Sequence, residues 1–164
     1  DGGLGRSQSP YAWTKATNTE LVENYGNWFN IPYAIVYFYN VYGNREISSG
    51  KYATLIAIFK EKIKNNLPLT VVSPGSQKRN FTHIDDIISG TRSAIDKNYK
   101  CEVFNLGNHK SEQLMDVVSL IEENIGKKTD VNFLPMQPGD VSESFADIDK
   151  SIELLNYKPN QLYC

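Results

Sequence analysis

The sequence predicts an α/β fold, and three observations carry that prediction. Short runs rich in β-branched and aromatic residues, such as Tyr33–Tyr39, Leu69–Val72 and Val131–Leu134, alternate with segments whose apolar residues recur every 3.6 positions. The run Tyr33–Tyr39 is apolar without interruption, the pattern of a strand covered on both faces of a parallel sheet. Turn and stop residues separate the runs, with Asn30-Ile31-Pro32, Ser73-Pro74-Gly75-Ser76, Gly107 and Gly126 at the junctions. The 164 residues amount to about one domain's worth of chain.

The elements follow in order. Ser9 is a capping residue and Pro10 suits a first helical position, so a helix is expected from Pro10 to about Phe29, with Leu21, Val22, Tyr25, Trp28 and Phe29 in period. The strand Tyr33–Tyr39 leads into a loop over 41–50. A helix is expected from Tyr52 to Asn65 through Leu55, Ile56, Phe59 and Ile63, followed by the strand Leu69–Val72 and an extended stretch Asn80–His83. Asp85 opens a helix with Ile87, Ile88, Thr91, Ala94 and Ile95 on one face; Asp85 and Asp86 read as first-turn carboxylates that cap N–H groups and oppose the dipole. Cys101–Leu106 is the next strand. Ser111 is expected to cap a helix through Leu114, Val117, Val118, Ile121 and Ile125, which Gly126 ends. After Val131–Leu134 and a loop at 136–140, Asp147 or Asp149 caps a last short helix through Ile152 and Leu155.

Composition narrows the function classes. The net charge is −2 and the charges of both signs are interspersed, which argues against a nucleic-acid surface. No apolar run approaches the ~20 residues of a membrane span, and no signal peptide is visible. Two distant cysteines, Cys101 and Cys164, fit a reducing cytoplasm and form no metal-ligand spacing with His83 or His109, so no metal site is expected. The histidines read as packing or surface residues. The chain starts at Asp1 with a glycine-rich stretch resembling the middle of a loop and stops where a segment seems to begin, so a fragment of a longer chain is expected.

Chemistry centres on Tyr11-Ala-Trp-Thr-Lys15. On a helix these two residues are one turn apart on one face. A nearby ammonium stabilises a phenolate, and a tyrosine so tuned can take a proton from a sugar hydroxyl. Tyr-x-x-x-Lys alone fits an ordinary amphipathic helix better. Three further segments change the reading. Tyr37-Phe38-Tyr39-Asn40-Val41-Tyr42-Gly43 resembles Arg-Tyr-Phe-Asn-Val-Tyr-Gly. Lys78-Arg79-Asn80-Phe81-Thr82-His83-Ile84-Asp85-Asp86 resembles Arg-Asp-Phe-x-x-Val-Asp-Asp. Gln137-Pro138-Gly139-Asp140-Val141, followed by Ala146-Asp147-Ile148-Asp149-Lys150, resembles Pro-Gly-Asp-Val and Ala-Asp-x-x-Lys. With these segments in order, the chain resembles the C-terminal half of an extended short-chain dehydrogenase/reductase of the nucleotide-sugar epimerase/dehydratase group.

The resemblance implies the C-terminal part of a Rossmann-like parallel sheet plus a smaller α/β substrate-binding domain. Residues 1–45 would complete the NAD-binding domain and 46–164 would mainly bind nucleotide-sugar, with 80–108 returning to the Rossmann sheet. It implies NAD as a resident cofactor and a UDP-sugar as substrate, inverted at one hydroxyl through a transient 4-keto intermediate. Tyr11 would be acid and base, and Lys15 would hold the nicotinamide ribose. Phe38 and Tyr39 would line the nicotinamide pocket, while Asn40, Arg79, Gln137 and Asp140 would bind the nucleotide-sugar. Taken by themselves, Asn40 also reads as a strand-ending turn residue, Arg79 as a solvated arginine and Asp140 as part of a Pro-Gly-Asp turn. The resemblance further implies a homodimer through the first helix. A 4,6-dehydratase, a heptose-nucleotide epimerase (which Arg45 and Glu46 favour) and a non-catalytic nucleotide-sugar-binding fragment are the alternatives.

Two departures stand out. Tyr37 replaces the arginine usual at its position. The Gly-x-x-Gly-x-x-Gly phosphate cradle and the catalytic Ser/Thr upstream of the tyrosine are not in this sequence. An isolated copy is expected to expose the apolar strand surface.

Overall fold

Local signals set most element boundaries in the computed structural model, which describes residues 10–50, 53–135 and 143–159. In chain order they are α1 (Pro10–Phe29), β1 (Ala34–Phe38), β2 (Val41–Tyr42), α2 (Leu55–Lys64), β3 (Leu69–Val72), β4 (Lys78–Arg79), β5 (Thr82–His83), α3 (Ile84–Asp96), β6 (Glu102–Leu106), β7 (Glu112–Gln113), α4 (Leu114–Ile125), β8 (Val131–Leu134) and α5 (Asp149–Leu155).

The apolar run becomes β1, parallel to β6 with Ala34 opposite Glu102 and Phe38 opposite Leu106. α3 packs on both strands and α5 on β6, burying Ile87, Phe104, Leu106, Ile148 and Leu155 in one core. Gly90 permits that approach: a Cβ there would lie 2.7 Å from Leu106 Cδ2 and 2.9 Å from the Tyr157 ring. The Tyr157 hydroxyl enters the same core and donates to Gly107 O at 2.9 Å.

A second core lies among α2, α4 and the parallel pair β3–β8, where Phe59, Ile63, Leu69 and Val118 are at most 2% exposed. Each such side chain contributes about 1.5–3 kcal/mol by leaving water. Between the cores run two short pairs, parallel β2–β5 and antiparallel β4–β7. The α/β class with parallel strand pairs is as the sequence predicts. No helix among the described residues is long and apolar enough to cross a membrane. Nor do the described residues contain a group of three or more His, Cys, Asp or Glu that could hold a metal ion.

Several boundaries and caps differ from expectation. α2 starts at Leu55 rather than Tyr52, because Thr54 is extended (φ −82, ψ 153) and its hydroxyl donates to Glu46 Oε2 at 2.6 Å. Ser111 does not cap α4; it donates to Ser144 O at 3.1 Å, and Gln113 takes the cap position without a side-chain bond. The cap of α3 is His83, whose Nδ1 accepts from the Asp85 N–H at 3.2 Å, so Asp85 and Asp86 sit inside the first turn rather than capping it. The expected apolar face of α3 also divides, with Ile87 and Ala94 buried but Ile88 and Ile95 exposed. Gly126, at φ 72, ends α4 as expected. Asp147 Oδ1 accepts from the Asp149 N–H at 3.1 Å just before α5.

Candidate functional site

Tyr11 and Lys15 face the same way from the first turns of α1. The Lys15 ammonium lies over the Tyr11 ring, 5.3 Å from its centroid, within cation–π range. Both border a groove of about 420 Å³ between α1 and β1, whose walls include Asn18, Thr19, Val22, Val36, Tyr37 and Phe38. Polar groups therefore converge from the helix, while β1 adds an apolar wall. Among the described residues β1 pairs only with β6. Tyr11 is 71% exposed.

Phe38 lines this groove; Tyr39 does not. Tyr39 packs against the core beside β6, and burial pushes its phenol pKa up, with the Tyr37 and Asp147 charges adding to the shift. Tyr37, which stands where the related segment has arginine, forms no ion pair there. Its hydroxyl meets Thr19 Oγ1 at 2.5 Å, joining strand to helix.

Asn40 leaves β1 with φ 37, a left-handed conformation that asparagine tolerates better than most residues. Its Nδ2 donates to Asn80 O at 3.0 Å and reaches Ser144 Oγ at 3.4 Å. Arg79 sits next to Asn80 on β4, half-buried, with its Nη1 turned back on Lys78 O at 3.0 Å. Asn40 and the Arg79–Asn80 segment are thus brought together across the chain, at the C-terminal side of β1 where open α/β sheets place ligands. The 78–80 segment also contacts the stretch after residue 142: the Lys78 backbone pairs with that of Glu143 in an isolated parallel β-bridge, and the Ser144 N–H donates to Lys78 O at 3.1 Å. Gln137 and Asp140 lie outside the described residues. No described hydrogen bond joins Tyr11 or Lys15 to Arg79; β1 and its continuation connect the two clusters.

Asn80 and Glu46 organise this region, and the residue-by-residue reading did not single either out for that role. Asn80 is fully buried. Its Nδ2 donates to Asn108 O at 2.5 Å and Lys110 O at 2.9 Å, and its Oδ1 accepts from the Asn108 N–H at 2.7 Å. The available signal was an asparagine beside a buried phenylalanine, where an amide must find partners. Glu46 accepts from the Gly43 N–H at 3.0 Å and from the Thr54 hydroxyl, pinning the loop after Asn40 to the start of α2. Asn40, Glu46 and Thr54 line a smaller cavity of about 170 Å³.

Comparisons with known proteins bear on the family and the fold. The sequence profile of the NAD dependent epimerase/dehydratase family matches residues 2–107. An uncharacterized protein of Methanocaldococcus jannaschii is 37% identical, over 97% of this chain and 48% of its own length. An uncharacterized UDP-glucose epimerase of Bacillus subtilis is 36% identical, over 92% of this chain and 47% of its own. The crystal structure of UDP-glucuronic acid 4-epimerase from Bacillus cereus, in complex with UDP-glucuronic acid and NAD, superposes with a TM-score of 0.86 at 34% identity, over 94% of this chain and 49% of that one. The chain spans about half the length of the curated relatives it matches.

Proposed function

The chain belongs to the NAD dependent epimerase/dehydratase family, and from that premise we propose that it is the C-terminal half of a UDP-sugar 4-epimerase, bringing the acid–base helix and the nucleotide-sugar lobe. The observation that carries the reading is the shared groove, with Lys15 stacked over Tyr11 at 5.3 Å and Phe38 of β1 on the opposite wall.

The groove suits the nicotinamide end of NAD. Val22, Val36 and Phe38 offer apolar cover for a flat ring, and Lys15 and Asn18 offer polar groups for ribose hydroxyls. When bound, NAD supplies the acceptor that takes hydride from the sugar carbon and returns it to the other face. This chain's own residues do the rest. Tyr11 takes the proton of the reacting hydroxyl and gives it back. Lys15 holds the cofactor ribose and stays against Tyr11. Phe38 keeps water from the ring face.

Asn40 and Arg79 bind the diphosphate of a UDP-sugar, the guanidinium pairing with phosphate oxygens. Gln137 and Asp140 add contacts to the diphosphate and the nucleotide ribose. The exposed aromatic residues Tyr25, Trp28 and Phe29 of α1 form the surface for a second copy of the protein.

The test is Tyr11→Phe in the native protein, assayed with NAD and a panel of UDP-sugars. Turnover is expected to fall by about 10²–10⁴-fold while UDP-sugar binding persists. Near-normal turnover would overturn the role given to Tyr11, and UDP binding with no conversion by the wild-type protein would favour a binding module.

A further inference from the structure

We propose that Tyr33 and Tyr37 act as a two-point clamp that sets how α1 sits on β1, and thereby where Tyr11 and Lys15 stand relative to Phe38 and Asn40. The proposal rests on the reading that α1 carries the reacting pair. In it Tyr33 and Tyr37 are positioning residues: they act through the helix.

Against the described residues only Ala16 and Gly26 of the 20 residues of α1 are buried, so within this chain individual contacts carry its placement on β1. Two ties between α1 and the β1 segment stand out. At the first, the Tyr33 ring lies directly against Gly26, so closely that a Cβ at residue 26 would overlap Cδ1 and Cε1 of the ring. The Ile31 N–H donates to Gly26 O at 3.0 Å in the same turn. At the second, Tyr37 OH meets Thr19 Oγ1 at 2.5 Å.

The second contact has a direction. Thr19 Oγ1 also lies 3.2 Å from Lys15 O and donates to it. A hydroxyl has one hydrogen, so the Tyr37 O–H donates to Thr19, and Thr19 donates to the carbonyl of Lys15 itself. A chain of hydrogen bonds therefore runs from the sheet to the backbone of the residue that carries the ammonium. Tyr37, Thr19 and Lys15 line the same groove.

The spacing makes the two contacts one device. Tyr33 and Tyr37 are four residues apart, so they point to the same side of an extended chain, about 13 Å apart. Gly26 and Thr19 are seven residues apart, about 10.5 Å along the helix. The two rulers agree to within the reach of a tyrosine, and the chain reverses between them, so the near contact at Gly26 and the far one at Thr19 fix both slide and rotation. A single contact would leave α1 free to pivot. An arginine at 37, as in the related segment, would bring a longer, charged side chain to Thr19 and a different register.

The experiment uses the native protein with NAD and its UDP-sugar, comparing Tyr37→Phe, Thr19→Val, Thr19→Ser and the double variant Tyr37→Phe/Thr19→Val. Tyr37→Phe removes one oxygen and keeps the ring. It is expected to lower kcat about tenfold, because small misplacements of reacting groups are costly, while KM for the UDP-sugar stays unchanged, since the Asn40–Asn80 cluster is untouched. Thr19→Val should match it and Thr19→Ser should restore turnover. The double variant should be no worse than either single one, as for two halves of one interaction. Backbone amide exchange in α1 should quicken in Tyr37→Phe and Thr19→Val with the cores unchanged, a readout that needs no activity.

Wild-type kcat in Tyr37→Phe, additive losses in the double variant, or unaltered exchange in α1 would each overturn the clamp. If Tyr11→Phe keeps full turnover while the exchange result holds, the acid–base reading fails and the clamp stands as a structural one.

Discussion

Replacing Asn80 by alanine removes a carboxamide that is wholly shielded from water and makes three hydrogen bonds: to Asn108 O at 2.5 Å, to Lys110 O at 2.9 Å and from the Asn108 N–H at 2.7 Å. Each buried backbone group left unpaired costs about 1–3 kcal/mol. Asn108 is 7% exposed, so both its groups carry a near-full penalty. Lys110 is exposed, and water can replace the amide at its carbonyl. The sum is a loss of about 2–6 kcal/mol. For a unit of this size that corresponds to a fall in Tm of roughly 4–24 °C.

The assay is urea unfolding of the native protein and the variant, with the slope m checked for constancy. The Asn80 carbonyl accepts from Asn40 and its N–H donates to Ser144 Oγ at 3.3 Å, so a loosened segment also frees those residues. UDP-sugar affinity should fall with stability. A loss below about 1 kcal/mol at unchanged m would refute the reasoning, because it would mean that water enters and satisfies all three groups.

Two further outcomes follow from other charged groups. Glu122 is buried at the end of α4, and its carboxylate is held below its ordinary range, first by the hydrogen bond from Lys128 Nζ at 2.7 Å and then by the Thr129 N–H, with burial opposing. A pKa lower in the folded state contributes stability above the unfolded value, and that contribution is lost as pH falls through the folded one. Glu122→Gln should therefore lower Tm at pH 7, and the gap to wild type should close below about pH 4 in a pH series of melting curves. At the loop after Asn40, Glu46→Ala should cost about 2 kcal/mol and Thr54→Val about 1 kcal/mol. The double variant should lose less than their sum in a urea double-mutant cycle, since the two share one hydrogen bond.

Short-range signals were readable because their physics is local. α1 occupies Pro10–Phe29, with Pro10 at its first position and Asn30-Ile31-Pro32 beyond its end. β3 and β8 fall on the apolar runs, and Gly126 stops α4 in the left-handed conformation. The family was legible too, because the segments that mark it are contiguous in sequence and stand in order. The one-turn spacing of Tyr11 and Lys15 follows from helical geometry alone.

What the sequence left open depends on partners far away along the chain. Ser111 looks like a helix cap, yet the Ser144 carbonyl claims its hydroxyl, and Thr54 falls inside the expected helix, yet it is extended and bonded to Glu46. Asn80 reads as one more polar residue in an extended stretch until Asn108 and Lys110 close around it. Phe38 and Tyr39 are adjacent in one apolar run, and only the packing of β6 and its core sends Tyr39 inward while Phe38 lines the groove. Tyr37, which replaces the arginine of the related segment, is a hydrogen-bonded link to α1. A polar side chain has several candidate partners within a few residues and others across the fold. Burial decides among them, because an unpaired polar atom costs more inside than outside, and burial exists only once the chain has folded.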